Sequence, residues 1–227
     1  VADSPAAFIF DMDGTLADSM PFHVRTWTTL LAERGVRVSP EAFLRQTSGK
    51  TNPQIVEEIL GIRMSAEELA AFEAHKEGQF RELYRPFLGP IAGLTEFLEA
   101  SRAQGVAMGV ATSACRANRD FILGGLGLES YFSAVVGVED IRRSKPHPEI
   151  FLATSKRLGV PPGRCVIFED AQVGLEAARR AGMRAVALTT SLSPAEIENL
   201  PGVIAAAPDY TRLDPALLLA TLGEPPA

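Results

Sequence analysis

Cysteine is nearly missing from this 227-residue chain: Cys115 and Cys165 are the only two. They lie far apart and match no metal-ligand spacing. A disulfide framework is therefore not expected, and a reducing, cytoplasmic setting is. Apolar runs are short, none reaching the ~18 residues of a membrane span. Val1-Ala-Asp-Ser-Pro5 has neither the basic nor the apolar stretch of a secretory signal. Positive charge is also in short supply. Lys and Arg number 22 against 28 Asp and Glu, a net charge of −6, and no Lys/Arg run occurs. That argues against a role on a nucleic-acid backbone. What is present, 46% hydrophobic and 22% charged residues, is the composition of a globular protein with a core of its own. The expectation is an acidic soluble enzyme or small-molecule binder. Its partners would include no nucleic acid and no membrane, and it would be a monomer or weak homodimer.

Two textures alternate along the chain. Short, nearly continuous apolar runs at Ala6–Phe10, Val106–Ala111, Ala134–Gly137, Cys165–Phe168 and Ala185–Thr189 read as parallel strands covered on both faces. Between them run helical patterns stopped by Gly105, Gly127, Gly159 and Gly182, glycine being the preferred residue just past a helix end. From Leu94 onward this alternation predicts a doubly wound α/β sheet. The first strand breaks the rhythm, because no strand-like run appears between Phe10 and Val106. Residues 18–87 read as helices only. Trp27, Leu30 and Leu31 form one stripe, ended by Gly35. Ser39-Pro40-Glu41 and Asn52-Pro53 read as helix starts, the latter ahead of Ile55, Val56, Ile59 and Leu60, and Ser65 with Glu68 as a capping box. Residues 1–17 and 88–227 would form the sheet domain, and 18–87 an inserted all-α domain. The tail Gly223–Ala227 reads as frayed.

The chemistry gathers where the strands end, which is where open α/β sheets bind ligands. After the first strand comes Asp11-Met-Asp13-Gly14-Thr15, and after the second Thr112-Ser113. Lys145 follows the third, flanked by Ser144 and Pro146-His147-Pro148, and Glu169-Asp170 follows the fourth. Several carboxylates in one crevice repel one another, and a divalent cation resolves the conflict. Oxygen ligands without His or Cys favour Mg²⁺. A cation beside a lysine is a clamp for a phosphoryl group, and a remaining carboxylate can attack phosphorus. The residues thus point to Mg²⁺-dependent phosphoryl transfer. Each has a plainer reading: Asp-Gly is common in turns, Glu169-Asp170 could cap a helix, and Lys145 could be a surface lysine. His23 could be structural and Lys76 could lie on a solvated helix face; Cys115, by contrast, reads as a small buried filler. It is their combination at successive strand ends that favours a site. Gly124-Gly125-Leu126-Gly127 reads as a helix end and not a nucleotide loop, since no strand precedes it.

These four segments, in this order, resemble the motifs of the haloacid dehalogenase superfamily, and the helical insert resembles that superfamily's C1 cap on a Rossmann-like core. His23, the Ser144–Pro148 stretch and Phe168-Glu-Asp-Ala171 look most like the β-phosphoglucomutase and sugar-phosphatase branch. The resemblance implies Asp11 as nucleophile and Asp13 as general acid/base. It implies Mg²⁺ held by Asp11, the Asp13 carbonyl and Asp170, with Glu169 orienting its water. Thr112, Ser113 and Lys145 would bind the phosphoryl oxygens, close to Gly14. His23, Lys50, Lys76 and Arg116 are the expected substrate contacts beyond them. The substrate would be a small phosphorylated metabolite.

Phosphatase and mutase separate on a second anion site. The mutase pattern has an Arg on a cap loop and a Ser-Lys-Asn stretch beyond the second motif. Here Ser113 is followed by Ala114, Cys115 and Arg116, and the loop Ser48-Gly-Lys-Thr-Asn52 carries Thr51 about where the Arg would fall. Lys50, Arg116 and Asn118 are left as substitutes. Each charge-assisted bond to phosphate is worth roughly 1.5–3 kcal/mol, so losing two or three favours hydrolysis over retention of a bisphosphate. A phosphatase is the expectation, a mutase the alternative, and a catalytically idle binding protein the third reading.

Overall fold

The computed structural model describes residues 5–47, 50–59 and 61–222. Ser48 and Gly49 of the cap loop, Leu60, and the tail 223–227 lie outside the described residues, as do residues 1–4. The chain begins with strand β1 (Ala7–Phe10) and passes directly into helices: α1 (Met20–Glu33), α2 (Pro40–Thr47), the single turn α3 (Asn52–Gln54) and α4 (Ala66–Tyr84). It then alternates through α5 (Leu94–Ala103), β2 (Ala107–Ala111), α6 (Arg116–Arg119), β3 (Ala134–Val136), α7 (Glu149–Leu158) and β4 (Cys165–Glu169). Helix α8 (Gln172–Arg180), β5 (Arg184–Leu188), α9 (Pro194–Ile197), β6 (Val203–Ala207) and α10 (Pro215–Thr221) complete it.

The six strands are parallel in the order β3-β2-β1-β4-β5-β6. Strand β1 is central, with Ala7 opposite Ala107 on one side and Cys165 on the other. Alternation along the strands sorts the core. Phe8, Phe10, Val166 and Phe168 face one layer, where Phe10 stacks on Phe168 with ring centroids 4.5 Å apart and Phe97 and Tyr210 close the aromatic cluster. Ala7, Ile9, Cys165 and Ile167 face the other layer, against Phe151, Leu175 and Ala178. Both faces are covered, which is why these strands read as continuous apolar runs.

The insert has a core of its own, built from Val24, Trp27, Leu30, Leu31, Phe43, Ile55, Val56 and Phe72. Further along α4, Phe80 and Tyr84 join the sheet-side cluster instead, so this helix belongs to both packings. The cap signals hold at Ser65, whose hydroxyl accepts from the Glu68 N–H while the Glu68 carboxylate accepts from the Ser65 N–H at 2.8 Å. The Ser39 hydroxyl likewise accepts from Ala42. The helix start at Asn52 is shifted by one residue. Thr51 is the cap and Gln54 reaches back to its N–H at 2.8 Å, leaving the Asn52 side chain for other work. The glycines at the expected helix ends, Gly35, Gly105, Gly127, Gly159 and Gly182, all take positive φ. Helix α6 is shorter than the Phe121–Leu126 pattern suggests, giving way to a wider helical turn over Asp120–Gly124.

Candidate active site

Asp11 leaves the central strand where Ile9 would be followed by the next residue on the same face, and it is 6% exposed. Glu169 ends β4 on the corresponding face. Lys145, on the loop between β3 and α7, reaches between them: its Nζ donates to Asp11 Oδ1 at 2.6 Å and to Glu169 Oε2 at 2.7 Å. Asp170 is the third carboxylate of the group, held by the Ser191 hydroxyl. One oxygen from each of Asp11, Glu169 and Asp170 lies within 4.8 Å of the others, and all three residues are buried. Among the described residues, these three carboxylates therefore share one ammonium. Burial pushes the Asp11 carboxyl up to about 7 against the pull of Lys145, and burial with the charges of Glu169 and Asp11 pushes Asp170 well above the usual range. Such a group of carboxylates could hold a cation, and an all-oxygen donor set suits a hard one. The cradle is close-fitting: a Cβ on Gly14, which sits at φ +78°, would stand 2.1 Å from Asp170 Oδ2.

Asp13 is placed by the insert rather than by the sheet. Its Oδ1 accepts from the Ser19 hydroxyl at 2.6 Å and faces His23 Nε2 at 3.3 Å. The Lys76 ammonium donates to His23 Nδ1 at 3.0 Å. An ammonium has no acceptor, so Nδ1 accepts and Nε2 carries the proton offered to Asp13. Burial raises the Asp13 carboxyl, but His23 and Ser19 outweigh it and hold it below the usual range. The His23 ring is fixed by stacking on Phe80 at 3.7 Å. Lys76 is buried, 2% exposed, and not on a solvated face. It pairs with Glu77 at 2.8 Å and stands over the rings of Trp27 and Phe80.

Asp11, Asp13, His23, Lys76, Glu77, Lys145, Glu169 and Asp170 line one cavity of about 420 Å³, together with Thr112, Ser113, Lys50 and Trp27. That is the size of a small-metabolite site. The Thr112 hydroxyl accepts from the Ala114 N–H at 3.1 Å, which fixes the loop after β2. Arg116 departs from expectation. Its side chain is 83% exposed and pairs with Asp120 at 3.7 Å, because position 116 starts α6 and projects outward. Cys115 is half-buried on the cavity wall and not a core filler. Sequence reasoning missed Ser19, Ser191 and Glu77. The first two carry no pattern. Glu77 had a signal, an acid on the face of α4 shared by Phe72, Lys76 and Phe80.

Residues 8–188 match the family model described as haloacid dehalogenase-like hydrolase, and the chain belongs to that family. Fructose-1-phosphate phosphatase YqaB of Escherichia coli is 33% identical over 181 residues, which cover 80% of this chain and 95% of that protein. The phosphorylated carbohydrates phosphatase of Thermotoga maritima is 31% identical over 79% of this chain and 83% of its own. Among solved structures, β-phosphoglucomutase of Clostridium difficile shares the fold, with a TM-score of 0.85 at 22% identity, over 96% of this chain and 97% of that one.

Proposed function

We propose that this protein is a Mg²⁺-dependent phosphatase of small phosphorylated carbohydrates, working through a phosphorylated Asp11. The observation that carries the reading is the Lys145 ammonium bridging Asp11 and Glu169 beside Asp170 at the floor of a metabolite-sized cavity. The two phosphatase relatives support the carbohydrate class.

Asp11 attacks phosphorus, the P–O bond to the sugar breaks, and the leaving oxygen takes a proton from Asp13. The incoming phosphate dianion raises Asp13 from its resting ionised state toward that acid form. Water then attacks phosphorus, Asp13 takes its proton, the bond from phosphorus to the Asp11 oxygen breaks, and inorganic phosphate leaves with the Asp11 carboxylate restored. Lys145, Thr112 and the Ser113 N–H bind the phosphoryl oxygens, with the Gly14 backbone alongside. Asp11, the Asp13 carbonyl and Asp170, with Glu169 behind them, would hold Mg²⁺, which when bound supplies positive charge to the phosphoryl oxygens. Residues 18–87 act as a cap over residues 1–17 and 88–227, bringing His23, Lys76 and Lys50 to the substrate and excluding water. No helix among the described residues is long and apolar enough to cross a membrane. A cytoplasmic monomer or weak homodimer suits the reading.

The test is phosphate release from a panel of sugar monophosphates, with Mg²⁺ and with EDTA. Release from several monophosphates only with Mg²⁺ is expected, and no release from any overturns the proposal. Supplying β-glucose 1-phosphate with catalytic glucose 1,6-bisphosphate tests the mutase alternative, which predicts glucose 6-phosphate forming faster than free phosphate.

A further inference from the structure

Glu77 is not used by the reaction above, yet it is among the most heavily bonded side chains of the cavity wall. Its Oε1 accepts from the Asn52 amide at 2.7 Å and from the Lys76 ammonium at 2.8 Å. Its Oε2 accepts from the Asn118 amide at 2.7 Å. Arg81 donates to Asn118 Oδ1 at 2.7 Å and so fixes which way that amide points. These donors come from three separate segments, α3, α4 and α6, and converge on one carboxylate that is 7% exposed.

One ammonium and two oriented amides from different elements form a donor set suited to phosphate oxygens. The next two positions after Ser113, Ala114 and Cys115, add neither a hydroxyl nor an ammonium. We propose that the Glu77 carboxylate fills, from within the protein, the anion subsite on the cap side of the cavity, and so restricts the substrate to monophosphates. The proposal rests on phosphomonoesters as the substrate class. A second phosphate arriving there meets a fixed negative charge and donors already engaged, and like charges brought together in a binding site are strongly disfavoured. A neutral hydroxyl end of a sugar meets no such penalty. Burial alone would raise the Glu77 carboxyl, but the Lys76 ammonium and the Asn52 amide hold it below the usual range, so the charge persists through the neutral range.

The residue works by exclusion, which sets it apart from a tie that merely holds the cap to the sheet. Loss of a tie lowers stability and weakens all ligands alike. Loss of an excluding charge changes the ratio between ligands. Binding of glucose 1-phosphate and glucose 1,6-bisphosphate is measured by titration calorimetry on the Asp11→Asn background, which prevents turnover. Glu77→Gln removes the charge and keeps the shape. Glu77→Ala opens the subsite, and circular dichroism reports whether it folds. The unsubstituted Glu77 protein should favour the monophosphate, and Glu77→Gln should move the affinity ratio toward the bisphosphate by about tenfold or more. A folded Glu77→Ala should move it at least as far. An unchanged ratio in Glu77→Gln overturns the proposal even if both ligands weaken. The phosphatase reading fails separately, through absence of phosphate release by the wild type, and the binding ratio decides the Glu77 proposal in that case too.

Discussion

Replacing Asp11 by Asn should abolish turnover and at the same time make the protein more stable. An amide cannot attack phosphorus, so the first effect follows from chemistry alone. The second follows from the charge count at the ends of β1 and β4, where, among the described residues, Asp11, Glu169 and Asp170 share the ammonium of Lys145. The folded protein holds the Asp11 proton up to about 7, against an ordinary value of 3.8. A raised carboxylate means that folding binds protons, so stability falls as pH climbs from the ordinary value to the folded one. Three units at ~1.36 kcal/mol each set an upper limit of about 4 kcal/mol above pH 7. For a chain of this size, a gain of about 2–4 kcal/mol raises the melting temperature by roughly 5–15 °C. Differential scanning calorimetry with EDTA at pH 8 and at pH 4 is the assay. The gap between Asp11→Asn and wild type should be wide at pH 8, small at pH 4, and narrowed at pH 8 by millimolar Mg²⁺. A variant melting at or below wild type at pH 8, or a gap equal at both pH values, would refute the reasoning.

Lys145→Met removes the ammonium that pairs with Asp11 and Glu169 and should cost about 3–5 kcal/mol by chemical denaturation in EDTA, with part restored by Mg²⁺; a loss under ~1 kcal/mol contradicts the buried-pair account. Gly174→Ala places a Cβ 2.1 Å from the Glu169 carboxyl carbon, which Lys145 and the Ala171 N–H hold in place. It should cost about 1–3 kcal/mol and most of kcat, and wild-type values for both would show that Glu169 yields. Asp170→Asn should raise the Mg²⁺ concentration for half-maximal phosphate release by about tenfold or more, and an unchanged titration removes Asp170 from the cation site.

The sheet and the floor of the site were legible for one reason: both depend on local pattern. Ala6–Phe10 and Cys165–Phe168 announce themselves because both faces are buried, and the polar residues that end them are conspicuous after such runs. Strand β6 was not legible. It is an edge strand, partly exposed, and Val203-Ile-Ala-Ala-Ala207 is as compatible with a helix as with a strand. His23 was expected as a substrate contact; it also faces Asp13, and Lys76 completes that contact from 53 residues further along the chain. The contacts of Glu77 were beyond reach, since Asn52 and Asn118 lie on opposite sides of it in sequence and only folding brings their amides together. Arg116 went astray because its charge was counted before its direction, which the first turn of α6 sets outward.

The central place of β1 bears on how the chain is made. Ala7–Phe10 leaves the ribosome before the other strands of its sheet, and both of its neighbours, β2 and β4, come much later. Between them and β1 come the whole helical insert and two further βα units. At roughly 5–20 residues per second, the apolar segment with Phe8 and Phe10 waits several seconds or more before β4 is available to cover its second edge. In that interval the helical insert, which has a core of its own, can already be packed, while the strand that will carry Asp11 is still an open edge. Pairings so distant in sequence fold slowly. The residue at the heart of the site is therefore fixed in place only after β4 has joined the sheet, long after the insert can fold.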